Sequence, residues 1–327
     1  MTDLSTVLDH FAPLGEDLTW TESSWFSWAI PERDVAGLVW THFRPNQASF
    51  CGGPAMWDTS GQHVWEFRYF DFQLMRPLPE GRWGVDYDKY AYRTPWGLDV
   101  RMEEPLRRYR IRYDRAGFRL DLTFTAIAPP NVMGQGMQDK PPMQQLGRAF
   151  KLHFEQPGRI AGWVELDGER LDVDCFSIRD GGHGPRSMER AAPGGYAWST
   201  ADDRTGWHIL APDMKSRVAP AVGGYILRDG VIAEVVSGHR RVLERDGPRP
   251  TRVEVHLQDN LGRELTALGR EQVPAKFMLF PDRGQWWTLY QWDYDGFTDA
   301  IGEDQEYYGI HAFRDWHRAG PAAWDKE

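Results

Sequence analysis

The clearest pattern in this chain is an alternation of apolar and polar residues with a period of two. Tyr109, Ile111 and Tyr113 alternate with arginines, Asp114 to Gly117 supplies a turn, and Phe118, Leu120, Leu122 and Phe124 alternate with polar residues. Such patterning around a short Gly-containing turn predicts an antiparallel hairpin with one buried face. Four more hairpins follow the same grammar. Ile160–Leu166 and Leu171–Ile178 flank Asp167-Gly168, a dipeptide suited to the positive φ values of a tight turn. Tyr196–Thr200 and Trp207–Leu210 flank a polar turn, as do Tyr225–Leu227 with Val231–Val236, and Val253–Leu257 with Glu264–Leu268. Hairpins spread through both halves predict an all-β barrel or sandwich in preference to an α/β fold. Helical signals are confined to Ser5–Phe11 and a turn at Met143–Leu146. The segment Pro129–Arg148 is rich in Pro, Gly and Gln without periodicity and reads as a connection, giving domains over 1–142 and 143–327.

Composition narrows the function classes. The 327-residue chain carries a formal net charge of -10, which argues against a nucleic-acid groove. Arg107, Arg108, Arg110 and Arg112 lie mostly on the polar side of a strand and read as a solvated face. Two cysteines, Cys51 and Cys175, without a CxxC pair suggest neither a disulfide framework nor a thiolate metal site, so a reducing cytoplasm is the simpler expectation. Met1–Gly15 holds no extended apolar core, and no later stretch has the apolar length of a membrane span. The 16 Trp, 16 Phe and 12 Tyr supply much apolar area on few positions, which serves an aromatic core, an aromatic-lined pocket or both.

The densest chemistry sits in Ser177–Ser187, where Arg179, Asp180, His183 and Arg186 are interleaved with Gly181, Gly182, Gly184 and Pro185 after a predicted strand. Read as a Gly-rich turn facing an apolar cavity, it makes Asp180 a general acid, because burial disfavours the carboxylate and raises its pKa. His183 or Arg186 would tune it; the alternative is a strand-end turn whose Asp and Arg residues form a structural ion pair. A second cluster runs from Gln285 to Gly296 and on to Glu303. Alternation puts Trp287, Leu289 and Gln291 on one face and Trp286, Thr288, Tyr290 and Trp292 on the other. Trp287, Tyr290 and Glu303 are candidates for lining a cavity, against the alternative that they fill a barrel or sit in turns. The ten histidines form no HxH or HExxH pattern, and no GxGxxG, phosphate loop or GxSxG occurs, so neither a metal nor a nucleotide cofactor is expected.

The run Arg179-Asp180-Gly181-Gly182-His183-Gly184-Pro185-Arg186 resembles the Arg-Asp-His-Ser-Trp-Gly-Pro-Arg-like motif of the hydroxyneurosporene synthase (carotenoid 1,2-hydratase) superfamily, in its uncharacterised bacterial branch. Glu104-Pro105-Leu106, the strand pair around Gly162–Arg170, and Asp295-Gly296 followed by Gly302-Glu303 fit the same order of features. The resemblance implies two lipocalin-like β domains in tandem and an acid-initiated reaction on an unsaturated hydrophobic substrate, with no redox cofactor. It gives the acid role to Asp180. The motif's histidine is Gly181 here and its tryptophan is His183, a departure that bears on whether hydratase activity carries over.

Together these readings give a cofactor-independent, hydratase-like lyase or isomerase acting on a hydrophobic or aromatic small molecule. Asp180, His183 and Arg186 would be catalytic, and Arg179, Trp287, Tyr290 and Glu303 would contact substrate. The alternative is a lipocalin-like carrier that binds an apolar ligand without transforming it. The oligomeric state is not legible.

Overall fold

A computed structural model describes residues 16–78, 85–86, 91–133, 152–186, 194–212, 217–280 and 283–320. The helical signals at Ser5–Phe11 and Met143–Leu146, and the boundary at 142/143, lie outside these residues. The described chain is almost entirely antiparallel β. Its first thirteen strands are β1 (Trp20–Ile30), β2 (Val35–Arg44), β3 (Ser49–Asp58), β4 (Tyr69–Phe70), β5 (Gln73–Pro77), β6 (Val85–Asp86), β7 (Ala91–Arg93), β8 (Asp99–Glu104), β9 (Arg108–Arg115), β10 (Phe118–Ala126), β11 (Asn131–Met133), β12 (Leu152–Leu166) and β13 (Glu169–Pro185). They form one sheet in the order β4-β3-β2-β1-β13-β12-β10-β9-β8-β7-β6, with β5 on β3 and β11 on β12.

The second sheet contains β14 (Gly194–Thr200), β15 (Gly206–Pro212), β16 (Val218–Pro220), β17 (Gly223–Arg228), β18 (Val231–Asp246), β19 (Arg249–Asp259), β20 (Glu264–Val273), β21 (Lys276–Phe280), β22 (Arg283–Tyr294) and β23 (Phe297–Gly309). Its path β18-β17-β15-β14-β23-β22-β20-β19 returns from β19 to β18, so eight strands close into a barrel with no free edge among them. A helix, α1 (Ile310–Ala319), follows.

All five predicted hairpins are present as β9–β10, β12–β13, β14–β15, β17–β18 and β19–β20. The turns explain why they were readable. Ala116-Gly117, Asp167-Gly168 and Asp229-Gly230 each place two successive residues at positive φ, which matches the twist of the flanking strands. The aromatic residues mostly build cores. Phe26, Trp28, Tyr109, Phe118 and Phe124 pack together in the first unit, and Trp207, Tyr290 and Trp292 in the second. Each such ring removed from water contributes roughly 1.5–3 kcal/mol.

The partition of the chain differs from the expected one. Leu152–Pro185 belongs to the first sheet, because β13 pairs with β1 on one side and β12 on the other, while β12 also pairs with β10. The described strands therefore change sheet after Pro185, and the Arg179–Arg186 run lies in the first unit. Nor is that run a Gly-rich turn. Through Pro185 it is the end of a 17-residue strand, hydrogen-bonded to a neighbour on each edge.

The interior of the barrel holds a buried ionic cluster. Arg240 donates to both oxygens of Asp304 at 2.6 and 2.7 Å and to Glu306 at 2.9 Å, and Arg245 donates to Glu306 at 2.9 and 3.0 Å. Pairing of each charge with an opposite one offsets the desolvation of charges at this depth.

Candidate functional site

Strand alternation decides which residues of the central run can act together. Register sets Asp180 opposite Trp25 of β1 and Glu155 of β12, and sets Gly182 opposite Ser23 and His153. Asp180, Glu155 and His153 thus share one face of the sheet. His153 Nε2 lies 2.7 Å from Glu155 Oε1 and 3.8 Å from Asp180 Oδ2. Glu155 is fully buried, whereas the Asp180 side chain is 20% exposed. Asp180 Oδ1 is buried and accepts no hydrogen bond among the described residues.

These surroundings reverse the usual ionisation order of a carboxyl and an imidazole. Burial, and then the charge of Glu155, pushes Asp180 from its ordinary 3.8 up to about 7, against the opposing pull of His153, Arg186 and Arg179. Burial pushes His153 from 6.5 down to about 4, with Arg186 acting in the same direction and Asp180 against it. Near neutrality His153 is therefore uncharged. Its Nε2 hydrogen-bonds Glu155 Oε1. Asp180 is left as the group that exchanges a proton near pH 7, the range in which a general acid or base is effective. His42, buried nearby in sequence register with Ser23, is held well below 6.5 by burial and by Arg186 and Arg44, and its Nε2 lies 3.3 Å from Thr21 Oγ1.

The donor atoms of His153, Glu155 and Asp180 lie within 4.8 Å of one another, a grouping of the types that hold metal ions.

The opposite face carries the alternate residues of the run. Arg179 is almost fully buried, with its guanidinium 3.9 Å from the ring centre of Tyr109 and 4.9 Å from that of Phe154. Its Nε donates to Gln156 Oε1 at 2.7 Å, and Gln156 in turn donates to the carbonyls of Leu106 and Ala128. Stacking of this kind is worth roughly 2 kcal/mol when the cation is desolvated. His183 was expected to partner Asp180. Three positions along an extended strand put it on the Arg179 face instead, where its ring stacks on Trp20 at 6.0 Å. The imidazole beside Asp180 is that of His153. Arg186 is close enough for its charge to act on Asp180, His153 and His42.

The C-terminal candidates also divide by face. Glu303, buried in the second unit, accepts at Oε2 from Trp287 Nε1 at 2.6 Å, Gln305 Nε2 at 2.8 Å and Trp198 Nε1 at 3.3 Å. Tyr290 points the other way, into the barrel core, and donates to the Pro250 carbonyl at 2.7 Å. Trp287 and Glu303 are thus brought together and Tyr290 is not, as the alternation along β22 requires.

A cleft of about 790 Å³ in the first unit is lined by Arg93, Asp99, Arg112, Asp121, Trp96 and Trp163, among others, and by none of the predicted site residues. Its charged lining differs from the aromatic-lined cavity that the composition suggested. Ion pairs such as Arg110 and Arg112 with Asp121 make this a compensated polar face.

Sequence reading missed His153 and Glu155. The available signal was the alternation of Leu152 and Phe154 with His153 and Glu155 just before the predicted strand at Ile160, which in fact begins at Leu152. Nothing local revealed that this pair faces Asp180.

The chain is a sheet-and-barrel protein with a partly buried carboxyl on one long central strand, and comparisons with known proteins agree on the fold. The chain belongs to the family described as Domain of unknown function (DUF7064), whose model matches residues 6–293. No curated protein matches its sequence. Among solved structures, it is similar to an AttH candidate from Nitrosomonas europaea, with 14% identity over 90% of this chain and 94% of that one and a TM-score of 0.61. It is similar to CghA with Sch210972 at 11% identity, over 93% and 95% of the two chains, with a TM-score of 0.59. Kievitone hydratase from Nectria haematococca matches at 10% identity over 90% of this chain and 89% of that one, with a TM-score of 0.51. These likenesses establish the shared architecture, as expected for two lipocalin-like β domains. No helix among the described residues is long and apolar enough to cross a membrane.

Proposed function

We propose that this protein is a hydratase-like lyase or isomerase that works by acid–base chemistry on a hydrophobic or aromatic small molecule, with Asp180 as the proton donor and acceptor. The observation that carries the reading is a partly buried carboxyl beside Glu155 and His153, raised to about 7, with one buried oxygen free of partners among the described residues. A structural ion pair favours the opposite condition, an ionised and fully bonded carboxylate. One solved protein of similar fold is by name a hydratase, which supports the class of chemistry.

In the proposed step the O–H bond of protonated Asp180 breaks as a C–H bond forms at one carbon of a substrate double bond, leaving the adjacent carbon cationic. Water then adds to that carbon and its proton returns to the carboxylate, or a neighbouring carbon gives up its proton and the double bond moves. Trp25 is directly across from Asp180 in register, and an aromatic face turned toward the developing cation would be worth roughly 0.5–2 kcal/mol. Arg186 steadies the carboxylate while the proton is away.

The test is mass spectrometry of a hydrophobic metabolite extract incubated with the wild type and with Asp180→Asn. The reading expects a compound consumed by the wild type alone, with a gain or loss of water or an unchanged mass distinguishing hydration, dehydration and isomerisation. Equal consumption by both proteins removes Asp180 from the chemistry. A compound retained by both and recovered unchanged makes the protein a carrier.

A further inference from the structure

Two consecutive glycines, Gly181 and Gly182, occupy the strand position just after Asp180, and neither is explained by its backbone. Neither has a φ in the left-handed region, so any residue could adopt the local conformation. What both positions lack is room. A Cβ on Gly182 would stand 2.9 Å from His153 Nδ1 and 2.8 Å from the Leu152 carbonyl oxygen. A Cβ on Gly181, on the other face, would stand 2.6 Å from the Phe154 ring. The two side chains of β12 that flank the site therefore lean over β13 on opposite faces, each into the space that a glycine leaves.

We propose that Gly182 is a positioning residue for the chemistry of Asp180: its bare α-carbon is the seat of the His153 imidazole and so sets the His153–Glu155 pair beside the Asp180 carboxyl. The assignment rests on Asp180 being the acid. Positions 181 and 183 face away from Asp180, and the residues that follow it on its own face, Gly182 and Gly184, have no side chain. An imidazole reaches the carboxyl only from the neighbouring strand, and His153 is directly opposite Gly182. The charged groups acting on that ring are Asp180 on β13, Glu155 on β12, and Arg186 just beyond β13.

The test needs no substrate. Nitrogen NMR of the histidine rings follows the titration of His153 in wild type, Gly182→Ala and Gly181→Ala. In the wild type its midpoint is expected near 4, where burial pushes it. Displacing the ring from its buried seat in Gly182→Ala is expected to raise that midpoint by about one pH unit or more, toward the value of a solvated imidazole. Gly181→Ala, which strikes Phe154 on the other face, is expected to lower stability and leave the His153 midpoint in place. An unmoved midpoint in Gly182→Ala, or an equal movement in Gly181→Ala, overturns the assignment.

If Gly182→Ala does not fold, the same change is made in a His153→Ala background. Recovery of a folded protein there supports the seat, and continued failure shows that the Leu152 carbonyl, not the imidazole, demands the glycine. A positive NMR result alongside full turnover by Asp180→Asn would retain the seat and remove the acid reading, so the two can fail separately.

Discussion

The proton affinity of Asp180 makes a prediction about stability that can be checked before any substrate is known. Its folded value is raised to about 7 against 3.8 for an ordinary aspartate. The stability contributed by the protonated form is therefore whole below about pH 4 and lost as the pH rises through about 7, where the folded state must hold an anion that the unfolded chain holds more cheaply. Between pH 5 and pH 8.5 that loss amounts to roughly 3 kcal/mol, and to less as far as water reaches the exposed part of the side chain. Asp180→Asn keeps the shape and removes the charge. Urea denaturation of both proteins at the two pH values should show the variant gaining roughly 2–3 kcal/mol on the wild type at the higher one. His153, pushed down to about 4, titrates with the opposite sign. Its folded value is depressed, so its contribution is present above about 6.5 and lost as the pH falls through about 4. Comparing variant with wild type at each pH cancels this to first order. A difference between the proteins that is the same at both pH values would refute the claim that Asp180 is held protonated.

Three further outcomes follow from the same geometry. Glu155→Gln removes the neighbouring charge, so the Asp180 midpoint should fall from about 7 toward 3.8 in a carbon NMR titration, and an unmoved midpoint would assign the whole rise to burial. Trp287→Phe deletes the shortest bond to Glu303 and should cost roughly 1–3 kcal/mol of stability by denaturant titration, with no change in the Asp180 midpoint. Arg240→Met strips Asp304 of both its guanidinium bonds inside the barrel and should cost roughly 3–5 kcal/mol, most of it recovered by adding Asp304→Asn. Failure of that second change to restore stability would locate the loss in packing instead of charge.

How far the sequence foretold this structure depends on the range over which each feature is encoded. Hairpins were legible because their information is local: Asp167-Gly168 and Asp229-Gly230 carry the φ values of a tight turn, and alternation on either side fixes the buried face. The same local rule separated Trp287 from Tyr290 along β22. The domain boundary failed because sheet membership is not local; whether Leu152–Pro185 joins the first sheet is decided by pairing with Trp20–Phe26, more than a hundred residues earlier. The glycines around Asp180 were read as a turn because turns are where glycine is commonest. In this strand Gly181 and Gly182 answer instead to side chains crossing from the neighbouring strand, a cause that lies outside the run itself. That misreading also produced the wrong histidine: on a turn His183 could have reached Asp180, whereas on a strand an offset of three forbids it. The candidate acid could thus be named from its own segment, but its neighbours could not. Burial raises the proton affinity of Asp180 most, and a glutamate 25 positions upstream adds to it, brought opposite by the register of β12 on β13; a single-residue slip of that register would turn Glu155 to the other face and leave burial to act without it.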